Sequence, residues 1–363
     1  MNTTNNATAR LTNLIRHGFR VLLVGPPAVA KTARIIAAAR SLGWQFRYGI
    51  DGRTCDLMDR LDAAGAVVPD VANGVSRSLP LQALKDILET KEPTVWFLDE
   101  VGRAPIDVQG ALCSTIDLLK RNGSPVVVVA ATNRPQDKAG VASLSEQLRS
   151  RFDVTFAIAT PDVKTDDVTG PTYLTDWAGE VAGWTDYAAD AGFAPTVVAW
   201  HRMTAGAKLY AWKPNANAAL RMPDYRTWET VSRLLNAGVS DLDSIGATIG
   251  RGPAGEFLAF AALAAQLPAP SEVFARPAEA TLPTDPAACY LLSATLARVV
   301  DAKQVPAFLN YIERLPRVFT ALAARDAHRR FNAEAERTKT QSKLVKVPQW
   351  NDWFLRNEDL FKY

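Results

Sequence analysis

Short apolar runs separated by helical stretches organise the first part of the chain. Val21–Val24 is wholly apolar, and after a turn it gives way to Lys31–Leu42, which is alanine-rich, carries Ile35 and Ile36, and stops at Gly43. The first predicts a buried strand and the second a helix closed by a glycine. Trp44–Ile50 predicts a second strand and Leu81–Leu88 a helix. Val95–Leu98, Val126–Ala130 and Val154–Ile158 predict three more strands. Strands alternating with helices imply an α/β domain whose parallel sheet is covered on both faces. Asp62–Leu79 breaks the pattern with Gly65, Pro69 and Gly74, and Pro80 follows. It predicts a loop or hairpin inserted beside a helix.

After Pro161 strand-like runs become scarce and alanine-rich helical stretches take over. Trp177, Trp184, Trp200, Trp212 and Trp228 fall there and predict helix-to-helix packing. Prolines cluster from Leu267–Pro270 through Pro277, Pro283 and Pro286, which predicts a linker before a last helical piece. Residues 1–10 predict a frayed polar tail.

Composition narrows the class. A chain of 363 residues with 48% apolar and 22% charged residues is long enough for two or three globular domains. A net charge of +3 gives no general electrostatic case for nucleic acid or an anionic membrane. Cys55, Cys113 and Cys289 are far apart and in no CxxC spacing, which argues against a disulfide framework or a zinc site and for a reducing compartment. The polar start lacks a signal-peptide core, and no apolar run is expected to reach the ~18 residues of a membrane span. The expected location is the cytoplasm.

The candidate chemistry begins at Gly25-Pro26-Pro27-Ala28-Val29-Ala30-Lys31-Thr32, between a strand and a helix. A tight turn there points backbone N–H groups at phosphate, and the helix N-terminus adds positive potential. Lys31 would reach the β- and γ-phosphates of ATP, and Thr32 would ligate Mg²⁺. Ala30 stands where the pattern G-x-x-x-x-G-K-[ST] has glycine, and Ala28 replaces another common glycine. Taken alone, so altered a motif also fits a strand–turn–helix with a surface lysine. Downstream, Val95–Leu98 delivers Asp99 and Glu100 to the end of a buried strand, where ligands bind in open α/β sheets. Asp99 suits a metal held through water, and Glu100 suits the polarisation of an attacking water. The next strand leads to Asn133, which could place that water.

In this order the motifs resemble AAA+ ATPases, and most closely the MoxR branch. The residues that carry the resemblance are Gly25–Thr32, Leu98-Asp99-Glu100 with Val101–Pro105, Asp107–Leu112, and Thr132-Asn133. The resemblance covers roughly residues 15–235. It implies an AAA+ P-loop αβα domain over residues 1–158, an α-helical lid over 159–266, and a mostly helical C-terminal extension over 267–363. It further implies ATP and Mg²⁺ as cofactors and a homo-oligomeric, six-membered ring with nucleotide between subunits. Arg149, in Leu148–Phe152, stands where the family places an arginine finger, with Arg151 as a second finger or interface residue. Arg226 resembles the arginine of the second sensor, and Arg221 competes for that role. Asp51–Leu79 occupies the place of a pore-facing insertion and equally fits a plain surface loop.

The remaining motifs are weaker. Gly250–Phe257 reads as a loop and helix start. Arg325, Arg329, Arg330, Arg337, Lys339, Lys343 and Lys346 form a basic stretch diluted by acids, which fits a solvated helix face before a nucleic-acid contact. Trp350–Phe354 predicts a docked aromatic terminus, and His17, His201 and His328 have no metal spacing. The expected function is a remodelling or chaperone ATPase acting on a protein client or adaptor, such as one with a von Willebrand factor A domain. Two alternatives stay open: a nucleic-acid motor or loader, and an ATP-dependent scaffold of weak turnover, for which Ala28 and Ala30 are the motive.

Overall fold

The computed structural model describes residues 7–137, 144–213 and 221–361. It divides into two compact units, the first running to Glu180 and including Lys213, the second formed by the rest from Val181. Helix α1 (Ala7–Arg16) opens the chain, so Ala7–Arg10 are helical where a frayed tail was expected. The first six residues of that expected tail lie outside the described residues.

In the first unit, β1 (Val21–Val24), α2 (Lys31–Leu42) and β2 (Gln45–Tyr48) alternate as expected. Gly43 closes α2 at φ 66°, a left-handed position that suits glycine. Next come α3 (Arg60–Ala64), β3 (Ala66–Asp70), β4 (Val75–Leu79) and α4 (Gln82–Glu89). The interrupted segment is therefore a hairpin, β3 pairing antiparallel with β4, beside a short helix. Then follow β5 (Thr94–Leu98), α5 (Ile106–Arg121), β6 (Val126–Thr132), α6 (Glu146–Arg149) and β7 (Val154–Ala157). The sheet is parallel with strand order β2-β5-β6-β1-β7. All residues of β5 and β6 are buried, as central strands covered on both faces require. This puts the C-terminal ends of β1, β5 and β6 side by side, which is what assembles the site.

Helix α7 (Trp177–Asp190) spans the boundary in sequence. The second unit is helical among its described residues: α8 (Pro195–Met203), α9 (Tyr225–Asn236), α10 (Leu242–Ile249), α11 (Arg251–Ala261), α12 (Pro270–Ala275), α13 (Pro286–Val299), α14 (Val305–Ile312), α15 (Arg317–Thr338) and α16 (Pro348–Arg356). Trp184, Trp200 and Trp228 are buried there, with edge-on contacts to aromatic neighbours. The proline-rich stretch read as a linker carries α12 and buries Val273 and Ala280 in the same core as α13 to α16. Trp350 and Trp353 join that core, so the aromatic terminus docks on its own unit.

One described stretch, residues 251–275, is long and apolar enough by composition to cross a membrane, with hydropathy 1.3. That amends the expectation that none would be. The stretch is not one continuous α-helix: α11 ends at Ala261, a 3₁₀ turn covers Ala262–Gln266, Leu267 is extended, and α12 starts at Pro270.

Candidate active site

Lys31 opens α2 directly after the turn that leaves β1. Ala28 and Ala30 both take left-handed backbone, at φ 59° and 58°. The missing glycines are therefore alanines forced into glycine's conformation, a strain of about 1–2 kcal/mol each. Gly25 is needed for space: a Cβ there would lie 2.9 Å from the Ile158 Cβ. Left-handed residues among right-handed ones turn successive N–H groups inward, an anion-binding concavity. The N-cap of α2 is Ala30, which supplies no side-chain cap, and its first turn holds no acid. The loop thus suits phosphate.

Lys31 is buried, and its ammonium donates to Gly25 O and Pro26 O at 2.9 Å and to Asn133 Oδ1 at 2.8 Å. Asn133 is buried as well and donates to Glu100 Oε2 at 3.0 Å and Oε1 at 3.1 Å. One carboxamide therefore joins the phosphate-loop lysine to the candidate base. Glu100 itself sits at φ 57°, between β5 and a 3₁₀ turn over Val101–Arg103. Such strain in a bulky residue persists where the surroundings over-determine it, and it concentrates at functional positions. Desolvation, with Asp99 alongside, raises the Glu100 carboxyl above the usual carboxylate range. That direction suits a proton acceptor working near neutrality.

Asp99 lies where Thr32 and Tyr48 converge. Its Oδ2 accepts from Thr32 Oγ1 and from the Tyr48 hydroxyl, each at 3.1 Å. Its Oδ1 accepts the Glu100 N–H at 3.0 Å. A hydroxyl and a carboxylate this close form a hard oxygen donor set of the kind Mg²⁺ takes. The residues present fit a Mg²⁺-nucleotide, with Thr32 and Asp99 as its holders. No cluster of three or more His, Cys, Asp or Glu among the described residues forms a separate metal site.

The sequence-predicted arginines differ in surroundings. Arg149, at the end of α6, is exposed and pairs at 3.0 Å with Glu146, itself exposed. Arg151 is held at 2.9 Å by Asp117 of α5. Arg226 lies in the first turn of α9, in the second unit, behind the capping residue Asp224. Arg221 is exposed and precedes that helix. The structure thus joins Lys31, Thr32, Asp99, Glu100 and Asn133 in one site and leaves Arg149 on the surface of the same unit.

Three relationships escaped the sequence. Tyr48 reaches Asp99, Asn133 reaches Lys31, and Arg34 of α2 forms a buried ion pair with Glu180. Only the first left a trace, a tyrosine inside the strand predicted over Trp44–Ile50.

Residues 21–160 match the family described as ATPase family associated with various cellular activities (AAA). That stretch is an AAA ATPase domain, and the sheet around it is the P-loop AAA+ arrangement. No curated protein matches the chain. Among solved structures, it is similar to the Thermotoga maritima RuvB Holliday junction branch migration motor at 13% identity and TM-score 0.33, over 96% of this chain and 85% of that one. A point mutant of that RuvB is similar at 14% identity and TM-score 0.33, over 98% and 86%. A candidate ATPase from Cytophaga hutchinsonii is similar at 16% identity and TM-score 0.30, over 67% and 77%.

Proposed function

We propose that the chain is a Mg²⁺-dependent ATPase of the MoxR-like kind, working as a homo-oligomeric ring, six-membered by that resemblance, to remodel a protein client or adaptor. In the ATPase step Lys31 and the loop N–H groups bind the phosphates, and Asn133 and Glu100 orient and polarise the attacking water. Bound Mg²⁺ would supply charge neutralisation of the phosphates. Arg149 of a neighbouring copy would stabilise the transferring phosphoryl group, and Arg226 would answer the nucleotide from the lid.

The observation behind a protein client is the hairpin. Val67, Val68, Val71, Val75 and Leu79 are all exposed on β3, β4 and their turn. A two-stranded ribbon with that much uncovered apolar surface is marginal alone, which supports the reading that a protein covers it. The basic C-terminal stretch argues less for nucleic acid than its composition does. Arg329 pairs with Asp186 and Asp190, Arg330 donates to the Ala297 and Val300 carbonyls, and Lys343 pairs with Glu334.

The test is a pull-down from the native host with Glu100→Gln as the ATP trap and Lys31→Ala as the nucleotide-free control. Protein enriched only by the trap is expected, and loss of that enrichment on replacing the hairpin valines with serine would assign the contact. Nuclease-sensitive nucleic acid enriched instead would overturn the client reading in favour of a motor.

A further inference from the structure

Tyr48 closes β2 and stands in register with Phe97 of β5. Phe97 and Asp99 are two residues apart, so along an extended chain they project toward the same face. The Tyr48 ring packs edge-on against Phe97, with centroids 5.6 Å apart and planes at 65°. That contact carries the phenol past Phe97 to Asp99 Oδ2, 3.1 Å away.

The carboxylate of Asp99 is held from three directions. Thr32 Oγ1 and the Tyr48 hydroxyl both donate to Oδ2, and the Glu100 N–H donates to Oδ1. Thr32 has a second duty, since its oxygen is also the expected metal ligand. Tyr48 has none: its ring is anchored on a buried strand and its hydroxyl serves Asp99. We propose that Tyr48 is a positioning residue for the divalent cation that accompanies ATP, its hydroxyl fixing the Asp99 carboxylate in the orientation the cation and Thr32 require. The inference rests on the ATPase reading above and deepens it. A phenol, with an ordinary pKa of ~10, is protonated at neutral pH and can donate to the carboxylate. Outer-shell donors of this sort set ligand orientation, and their loss typically costs roughly 10- to 100-fold in metal affinity.

The test is Tyr48→Phe, which keeps the ring against Phe97 and removes the hydroxyl alone. Mn²⁺ binding to the ADP complex is read by electron paramagnetic resonance. Affinity for a fluorescent ATP analogue is titrated with Mg²⁺ and again with EDTA. Expected are a roughly 10- to 100-fold loss in Mn²⁺ affinity, a matching loss of the Mg²⁺-dependent gain in nucleotide affinity, and no change in EDTA or in the thermal midpoint. A wild type that gains affinity with metal, beside a Tyr48→Phe variant that gains as much, overturns the role of Tyr48 alone. Equal losses with Mg²⁺ and with EDTA also overturn it, since they mark general damage to the loop. A wild type that gains nothing from metal overturns the Mg²⁺-ATPase reading and this inference together.

Discussion

Asn133 donates its side-chain amide to both oxygens of Glu100, at 3.0 and 3.1 Å, while its own carbonyl oxygen accepts from Lys31 at 2.8 Å. The phosphate-binding lysine and the candidate base are therefore one hydrogen bond apart on either side of a single residue. A γ-phosphate that draws Lys31 toward itself must alter what Asn133 can do for Glu100.

Replacing Glu100 by Gln keeps the shape and removes the base. Turnover should fall about 10²- to 10⁴-fold while ATP binding persists. Steady-state hydrolysis beside equilibrium nucleotide binding checks both, and turnover at the wild-type rate would remove Glu100 from the mechanism.

The same carboxyl sets the acid limb of the rate profile. Burial and Asp99 raise its pKa, and the hydrogen bond from Asn133 lowers it. Hydrolysis should therefore fail, as pH drops, at a higher pH than an exposed glutamate would give. In Asn133→Ala that limb should move up further, because a bond favouring the charged form is gone. A limb that stays put in the variant would mean that another group titrates.

Ala28 and Ala30 occupy left-handed backbone. Ala28→Gly and Ala30→Gly should each stabilise the folded chain by up to about 1 kcal/mol, the released strain exceeding the extra entropy of glycine in the unfolded chain. Denaturant midpoints of the two variants measure this. Destabilisation in both would show that the alanine methyls make compensating contacts.

How much of this the sequence disclosed depends on distance along the chain. The strand ends carrying Asp99 and Asn133 were legible because a wholly apolar run of residues is a strong local signal, and the phosphate loop was legible by its place between β1 and α2. The φ of Ala28 and Ala30 was suspected from the missing glycines alone. The contact from Tyr48 to Asp99 was hidden because it depends on the register of β2 against β5, which no local pattern sets. The Arg34–Glu180 pair joins residues far apart in sequence, and one of the three basic residues of α2, Lys31, Arg34 and Arg40, gives no local hint of its partner. The helical start of the chain was missed because MNTTNNATAR is polar, while the side chains that α1 buries begin at Ala7 and Leu11.

That ion pair is buried, Glu180 completely, and desolvation raises its carboxyl pKa against the pull of Arg34. Glu180→Leu should destabilise the protein by up to about 3–5 kcal/mol, since it removes the carboxylate that compensates a largely buried guanidinium. Adding Arg34→Met should recover most of the loss. Chemical denaturation of the two variants tests this, and a double variant no better than the single would show that the ion pair itself matters.

His201 is wholly buried between Trp184 and Trp228, its ring centroid 5.1 and 4.3 Å from theirs, and neither ring nitrogen has a hydrogen-bond partner. Burial pushes its pKa down to about 3. The unfolded chain binds a proton below pH ~6.5 that the folded chain refuses, so this contribution is complete above that pH and is lost as pH falls toward 3. The slope is about 1.4 kcal/mol per pH unit from this group. Urea midpoints at about pH 7.5 and about pH 5 should differ less in His201→Phe than in the wild type. Equal differences would mean that the histidine is protonated in the folded state.

Arg149 and Arg151 can be told apart by what already holds them. Arg151 is bound to Asp117 within its own unit, and drawing it away would break a bond to α5. Arg149 leans on Glu146, one turn back on the same short helix and itself exposed, so it gives up little to reach another molecule. If Arg149 serves a neighbour's nucleotide, Arg149→Ala should bind ATP normally while its homo-oligomers lose about 10³-fold or more of turnover. Mixing it with Lys31→Ala should restore turnover, since each Lys31→Ala copy lends its Arg149 to an Arg149→Ala neighbour's site. Arg151→Ala should instead lower the thermal midpoint and keep most of its turnover. Restoration in mixtures of Lys31→Ala with Arg151→Ala, and none with Arg149→Ala, would exchange the two assignments.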